Sequence, residues 1–309
     1  MIKALRRPPR LKEGDRVAVV SPATPGPEDQ LDKGLGVLRS WGLEPVEMPH
    51  VRETHPRLPY LAGSDGDRAR DFEAAWADRS FTAVVCARGG YGAQRMIDLV
   101  DWAALADAEP KAFVGFSDVT ALHEAIALRL GVATLHGPMP NWSRFIEGAA
   151  MQEHLRRSLF SPESVQTIAP PSARTLAPGR ARGVTVGGCL SLLASGIGTP
   201  EHRDDCEGGI LLLEDTGEDD YRVDRYLTQL RRSGWLGGVA GIVLGSWVEN
   251  NGERRLHATL ADLVGDLGVP VVEDFGFGHC TPSLTVPLGV PAVLDADAGT
   301  LAFEIPALR

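Results

Sequence analysis

Residues 81–123 read FTAVVCARGGYGAQRMIDLVDWAALADAEPKAFVGFSDVTALH, and their punctuation decides the fold. FTAVVCA (81–87) is an uninterrupted apolar run, the mark of a strand buried on both faces. RGGYG (88–92) breaks it, and AQRMIDLVDWAAL then carries apolar residues at helical spacing. KAFVGF (111–116) is a second buried strand and SDVTALHEAIALRLG a second helix. Strands joined through helices imply parallel pairing, because a parallel neighbour is reached only by a crossover. The alternation extends outward. RVAVVSPA (16–23) reads as a strand stopped at Ser-Pro, 28–41 as a helix and EPVEMP as a strand. Residues 64–78 read as a helix opened by Ser64, with Asp67 at the capping-box position. VATLHGP closes the series. Residues 1–160 therefore predict an α/β domain with a doubly wound parallel sheet.

Residues 161–181, SPESVQTIAPPSARTLAPGRA, are rich in Pro and Ser without periodicity and predict an interdomain linker. Residues 182–309 differ in character. RGVTVGG, GGILLLED (208–215), GVAGIVLGSW and VPVVEDFGFG read as strands, and CLSLLASGIG and DYRVDRYLTQLRRSG (220–234) as helices. The end, SLTVPLGVPAVLDADAGTLAFEIP, is turn-punctuated β. The prediction is a β-rich mixed α/β C-terminal domain.

The 309 residues suffice for a sizeable core without disulfides or metal. Apolar residues at 43% and charged residues at 23% exclude wholesale disorder. A net charge of −10 argues against a dedicated nucleic-acid binder. No stretch approaches 18 uninterrupted apolar residues, and the basic N-terminus is followed by no apolar h-region. The expectation is a cytoplasmic protein without a membrane span. Cys86, Cys189, Cys206 and Cys280 form no C-x-x-C pair and are expected as free thiols. There is no H-E-x-x-H and no cluster at ligand spacing, so no metal or other cofactor is expected.

Ser117 stands where a strand gives way to a helix. That place suits a nucleophile elbow, although Val119 breaks the G-x-S-x-G pattern. It equally suits an N-cap serine. Gly89 and Gly90 lie at another strand end, where ligands bind in open α/β sheets. Adjacent glycines let backbone amides approach a ligand, or simply turn the chain. Among eight histidines, His50, His55, His154, His202 and His257 read as solvated, His123 as packed beside the sheet, and His136 as a strand-end turn. His279 stands out after FGFG at a strand end. Glu214 and Asp215 close the apolar run GGILLLED, where a carboxylate demands a partner. That partner is a catalytic histidine, or Arg222 or Arg225 on the next helix.

The ordered blocks LKEGDRVAVVSPA, ARGGYGAQRMID, FVGFSDVTALH, TLHGPM, GGCLSLLASGIGTP, ILLLEDTGEDDYRVDRYLTQL and FGFGH say more. Together they resemble the LD-carboxypeptidase family of serine peptidases over roughly residues 11–306. The resemblance implies a Ser–His–Glu triad of Ser117 as nucleophile, Glu214 as orienting acid, with Glu218 as competitor, and His279 as base. It implies an oxyanion hole from the backbone amides of Gly89 or Gly90 and of Asp118. The active site would lie in the cleft between the domains. The implied substrate is a muropeptide losing terminal D-Ala, and the implied assembly is a homodimer. A sister branch of microcin C immunity peptidases implies cleavage of an aminoacyl-nucleotide conjugate instead. A two-domain protein that binds a small molecule without chemistry is the remaining alternative. Arg88, Arg95 and Arg222 are candidates for the substrate carboxylate. Trp142 is read as a pocket wall or a surface cap, and segment 141–160 and the linker as walls of the cleft.

Overall fold

The structure, a computed structural model, describes residues 1–248 and 253–309. Its strands are β1 (Arg16–Val20), β2 (Glu44–Glu47), β3 (Phe81–Cys86), β4 (Ala112–Gly115), β5 (Thr134–His136), β6 (Thr167–Ile168) and β7 (Arg174–Ala177). They continue with β8 (Arg180–Cys189), β9 (Gly209–Thr216), β10 (Gly241–Val248), β11 (Val271–Glu273), β12 (Val286–Leu288), β13 (Pro291–Asp295) and β14 (Thr300–Phe303). The helices are α1 (Glu28–Ser40), α2 (Asp65–Ala77), α3 (Ala93–Ile97), α4 (Trp102–Leu105) and α5 (Thr120–Arg129). Then come α6 (Ser143–Glu147), α7 (Ala149–Phe160), α8 (Leu190–Gly196), α9 (Asp220–Arg232) and α10 (Glu253–Val264).

Two sheets result. The first has the order β12-β5-β4-β3-β1-β2, with β1 to β5 all parallel. The second runs β6-β14-β13-β8-β9-β10-β11-β7, parallel from β8 through β11 and antiparallel at both flanks. The parallel first half and β-rich mixed second half agree with the sequence reading. The central strands are buried on both faces, which is why they read as continuous apolar runs. A single apolar cluster runs from Val17, Ala83 and Val114 of the first sheet to Ile210, Val243 and Phe275 of the second half. Behind the first sheet, fully buried Phe72 packs against Trp76, Trp102 and Phe113. Truncating such a ring to Ala costs about 3–5 kcal/mol. Ser64 caps α2 in a full capping box with Asp67.

Four departures have local causes. The helix expected over AQRMIDLVDWAAL is two helices, α3 and α4. Asp101 interrupts it by accepting from the Ala104 amide at 3.1 Å, a side-chain bond that competes with helix continuation. Segment 161–181, expected as a linker, is tied down: β6 pairs with β14 and β7 with β11. Its prolines sit between and beside those short edge strands, which is why periodicity did not reveal them. From the C-terminal half, β12 crosses over and pairs antiparallel with β5. Helix α10 was not anticipated, although Leu256, Leu260 and Val264 recur at four-residue spacing and are buried. The four cysteines are free thiols. Among the described residues, no helix is long and apolar enough to cross a membrane.

Candidate active site

Ser117 begins a single 3-10 turn at the carboxyl end of β4, directly after extended Phe116. Its φ is +66°, a left-handed conformation that costs a side-chain-bearing residue about 1–2 kcal/mol. The hydroxyl caps neither the turn nor α5, and it makes no hydrogen bond among the described residues. The elbow reading therefore fits its geometry better than the N-cap reading. Asp118, beside it, is buried and accepts the Ala93 amide at 2.7 Å. That bond ties the elbow to the start of α3, directly after the RGGYG turn. Burial pushes the Asp118 carboxyl up to about 6, against the opposing pull of the Ala93 and Gly92 amides and of Arg68.

Gly89 lies against the elbow. A Cβ there would stand 3.0 Å from Ser117 Cβ and 3.3 Å from its Oγ, so a side chain would crowd the hydroxyl. Gly90 follows at φ +110°. The amides of Gly89, Gly90 and Asp118 donate to no acceptor among the described residues. Thr24 holds the turn by accepting from the Tyr91 amide at 3.0 Å and donating its own amide to Gly89 O at 3.2 Å.

The second half supplies the charged pair. Glu214, at the carboxyl end of β9, is fully buried. Its Oε2 accepts from His279 Nδ1 at 2.6 Å. Its Oε1 faces His136 Nε2 at 3.6 Å, an ion-pair distance too long for a hydrogen bond. Burial alone raises a carboxyl, yet His279 and His136 together hold Glu214 down at about 2. Burial alone also lowers His279, but the Glu214 charge and hydrogen bond override it, and the imidazole titrates above its ordinary value. The His279 ring packs on Phe116 at 4.8 Å between centroids, which brings the pair beside the residue preceding Ser117. Gly278 makes the approach possible. Its φ is +96°, and a Cβ there would stand 2.4 Å from Glu214 Oε2. From α6, Arg144 donates to the His279 carbonyl at 2.6 Å and so reaches across to the base loop.

The arrangement sorts the sequence candidates. Glu218 contacts Arg222 at 3.6 Å and Tyr226, not His279, so Glu214 alone carries the histidine. Neither Arg222 nor Arg225 pairs with Glu214 or Asp215; both stack on Tyr221. Asp215 turns to the opposite face, accepts from the Ser191 and Thr216 amides at 2.8 Å, and is pushed up to about 6 by burial and by Glu214. Arg95 is engaged by Asp65 at 2.9 Å. The Arg88 side chain forms no hydrogen bond or ion pair among the described residues. Trp142 packs on Phe116 at 5.1 Å and lies under the Arg144 guanidinium, half-buried rather than capping the surface. His123 is buried as expected, its Nε2 donating to Gly115 O at 2.9 Å. His257 is exposed as expected, on Glu273. His50, His55, His154 and His202 are half-buried instead of solvated. His50 binds Asp71 at 2.8 Å, and the His154 ring accepts the Thr285 amide at 3.1 Å. A cavity of about 990 Å³ adjoins the base loop at Cys280 and Pro282, with Pro170, Pro171 and Ser172 of segment 161–181 in its wall.

Sequence reasoning missed Arg144 and His136 as neighbours of the pair. Neither carries a local signal, because each reaches the site from a different element. Chemically, an imidazole held against a buried carboxylate takes up a proton readily. An unbonded hydroxyl on a strained turn, beside free amides, is the complement such a base requires.

The LD-carboxypeptidase N-terminal domain model matches residues 17–137, and the C-terminal domain model matches residues 182–294. A putative carboxypeptidase of Streptomyces coelicolor is 60% identical over 307 residues, covering 99% of each chain. A probable murein peptide carboxypeptidase of Bacillus subtilis is 35% identical, covering 96% of this chain and 94% of that one. Among solved structures, the microcin immunity protein MccF in complex with glutamyl sulfamoyl guanosine superposes with a TM-score of 0.87. It is 22% identical over 98% of this chain and 99% of that one, a likeness of fold.

Proposed function

The chain belongs to the LD-carboxypeptidase family of peptidases, and on that premise we propose that it is a serine LD-carboxypeptidase releasing terminal D-Ala from muropeptides. The observation that carries this reading is the 2.6 Å bond from His279 to fully buried Glu214, packed on Phe116 beside the strained Ser117. The murein peptide carboxypeptidase named among the relatives supports the substrate class.

The steps follow from the placement. His279 takes the Ser117 proton while the hydroxyl attacks the scissile carbonyl. Glu214 fixes the imidazole and stabilises its protonated form. The amides of Asp118 and of Gly89 or Gly90 receive the developing oxyanion, each worth about 3–4 kcal/mol in comparable hydrolases. His279 returns the proton to the D-Ala nitrogen as the bond breaks. Water, deprotonated by the same imidazole, then releases the tripeptide from Ser117. No cofactor enters any step. The nucleophile comes from the domain of residues 1–160 and the acid and base from residues 182–309, with the cleft between them as the site. The reading places the enzyme in the cytoplasm as a homodimer.

The test is release of D-Ala from L-Ala-γ-D-Glu-diaminopimelate-D-Ala, with Ser117→Ala in parallel. Release by the parent and none by the variant is expected. Release by both removes Ser117 from its role. No release by folded parent, with cleavage of an aminoacyl-nucleotide conjugate instead, replaces the muropeptide by the substrate of the immunity branch.

A further inference from the structure

We propose that His136 is a positioning residue of this site, a second imidazole that holds the free oxygen of Glu214 and so sets the basicity of His279. The inference rests on the serine-peptidase reading of Ser117, Glu214 and His279, and adds a member which that reading does not contain.

A buried carboxylate needs partners for both oxygens. Glu214 Oε2 has His279 at 2.6 Å. Oε1 is buried without a hydrogen bond, and so are both ring nitrogens of His136. These unsatisfied atoms are not scattered, since Nε2 and Oε1 face each other at 3.6 Å. His136 is 1% exposed. Its ring is held between Phe116 at 5.8 Å and Phe277 at 5.6 Å, both edge-on. Phe116 precedes Ser117 and Phe277 is two residues before His279, so the same two rings frame the elbow, the base loop and His136. The antiparallel pairing of His136 with Val286 fixes its backbone from the C-terminal side.

With its proton on Nε2, or with both nitrogens protonated, the ring turns an N–H toward Oε1 across 3.6 Å, acting as a dipole or charge at ion-pair range. That N–H stabilises the carboxylate electrostatically and makes it a weaker acceptor for His279. Removing the donor leaves Glu214 more basic, tightens its hold on the protonated His279, and moves the His279 midpoint upward. The other titratable or charged groups around the trio are His123 on α5, Cys189 on β8, Asp215 on β9, Arg144 on α6 and Cys280 beside the base. Burial keeps His123 neutral, at about 3, and raises the Cys189 and Cys280 thiols. All five remain in any His136 variant, so a change in the His279 midpoint reports on His136.

The decisive experiment needs no substrate. Histidine-labelled protein is titrated by NMR, with the His279 resonance assigned from its absence in His279→Asn. His136→Phe keeps the shape and removes the donor, and His136→Gln keeps an N–H at the end of the chain. The expected result is a higher His279 midpoint in the Phe variant and a midpoint near the parent's in the Gln variant. In the D-Ala assay, kcat of the Phe variant falls roughly 10-fold with KM little changed, the scale of losing a partner behind a functional group. The acid limb of its profile moves to higher pH. If the Phe variant does not fold, His136→Asn, whose amide is too short to reach, takes its place. An unchanged midpoint in the donor-lacking variant, or equal shifts with and without the donor, overturns the proposal even where activity drops. Absence of D-Ala release by the parent refutes the substrate reading alone, because the titration still decides the role of His136.

Discussion

Replacement of Gly278 by Ala tests how the base loop meets the buried acid. Two effects add. At φ +96° an added side chain costs about 1–2 kcal/mol of backbone strain. The new Cβ would also stand 2.4, 2.7 and 2.8 Å from Oε2, Cγ and Cβ of Glu214, far inside van der Waals contact. Glu214 is fully buried on a central strand and has no space to retreat. The loop must therefore move, and His279, the next residue, moves with it. A displacement of about 1 Å at a catalytic group costs roughly 100-fold in rate. Gly276→Ala is the control. Its φ of +70° incurs the same strain, but its nearest neighbours stand at 3.7 Å. Both variants should lose about 2–4 °C in Tm per kcal/mol of strain. Only Gly278→Ala should lose about two orders of magnitude in kcat/KM for D-Ala release, with a matching loss in the rate at which a fluorophosphonate labels Ser117. Equal losses in the two variants, or near-parental labelling of Gly278→Ala, would refute the claim that Glu214 fixes the position of His279.

Three further outcomes are expected. Ser117→Gly, freed of left-handed strain, should be inactive yet at least as stable as Ser117→Ala, which keeps the strain; chemical denaturation compares them. Asp118→Asn preserves an acceptor for the Ala93 amide but removes a buried charge. Because burial raises the folded pKa to about 6, parental stability falls as pH rises from the ordinary carboxyl range to that value. The Asn variant should escape this loss, gaining on the order of 1–3 kcal/mol at pH 7 relative to its standing at pH 4, read from urea midpoints. Arg144→Ala removes the bond to the His279 carbonyl and should lower kcat roughly fivefold with little change in Tm, since a partly exposed bond contributes about 1 kcal/mol.

Much of this molecule is written locally. Apolar runs of strand length such as FTAVVC and GILLLED are legible because both faces of a central strand are buried, so burial appears in consecutive residues. The placement of Ser117 at a strand end is legible for the same reason. The break at Asp101, the short strands β6 and β7, and helix α10 were lost where a side-chain cap, proline-flanked edges and a short period compete with the coarse pattern.

By itself, then, the sequence determined the alternation of strands and helices, the parallel first half and the β-rich second half, and its resemblance to the LD-carboxypeptidases put forward Ser117, Glu214 or Glu218, and His279 as candidates. Only the tertiary structure decided that Glu214 rather than Glu218 meets His279, that Asp215 faces away, that His136 faces Glu214 and that Arg144 bonds the His279 carbonyl. The physical reason is separation along the chain. Strand and helix follow from neighbours a few residues apart, whereas Glu214 and His279 lie 65 residues apart and Arg144 and His279 lie 135 apart. Which side chain meets which across such distances is fixed by packing two sheets over one core, and no local pattern encodes it.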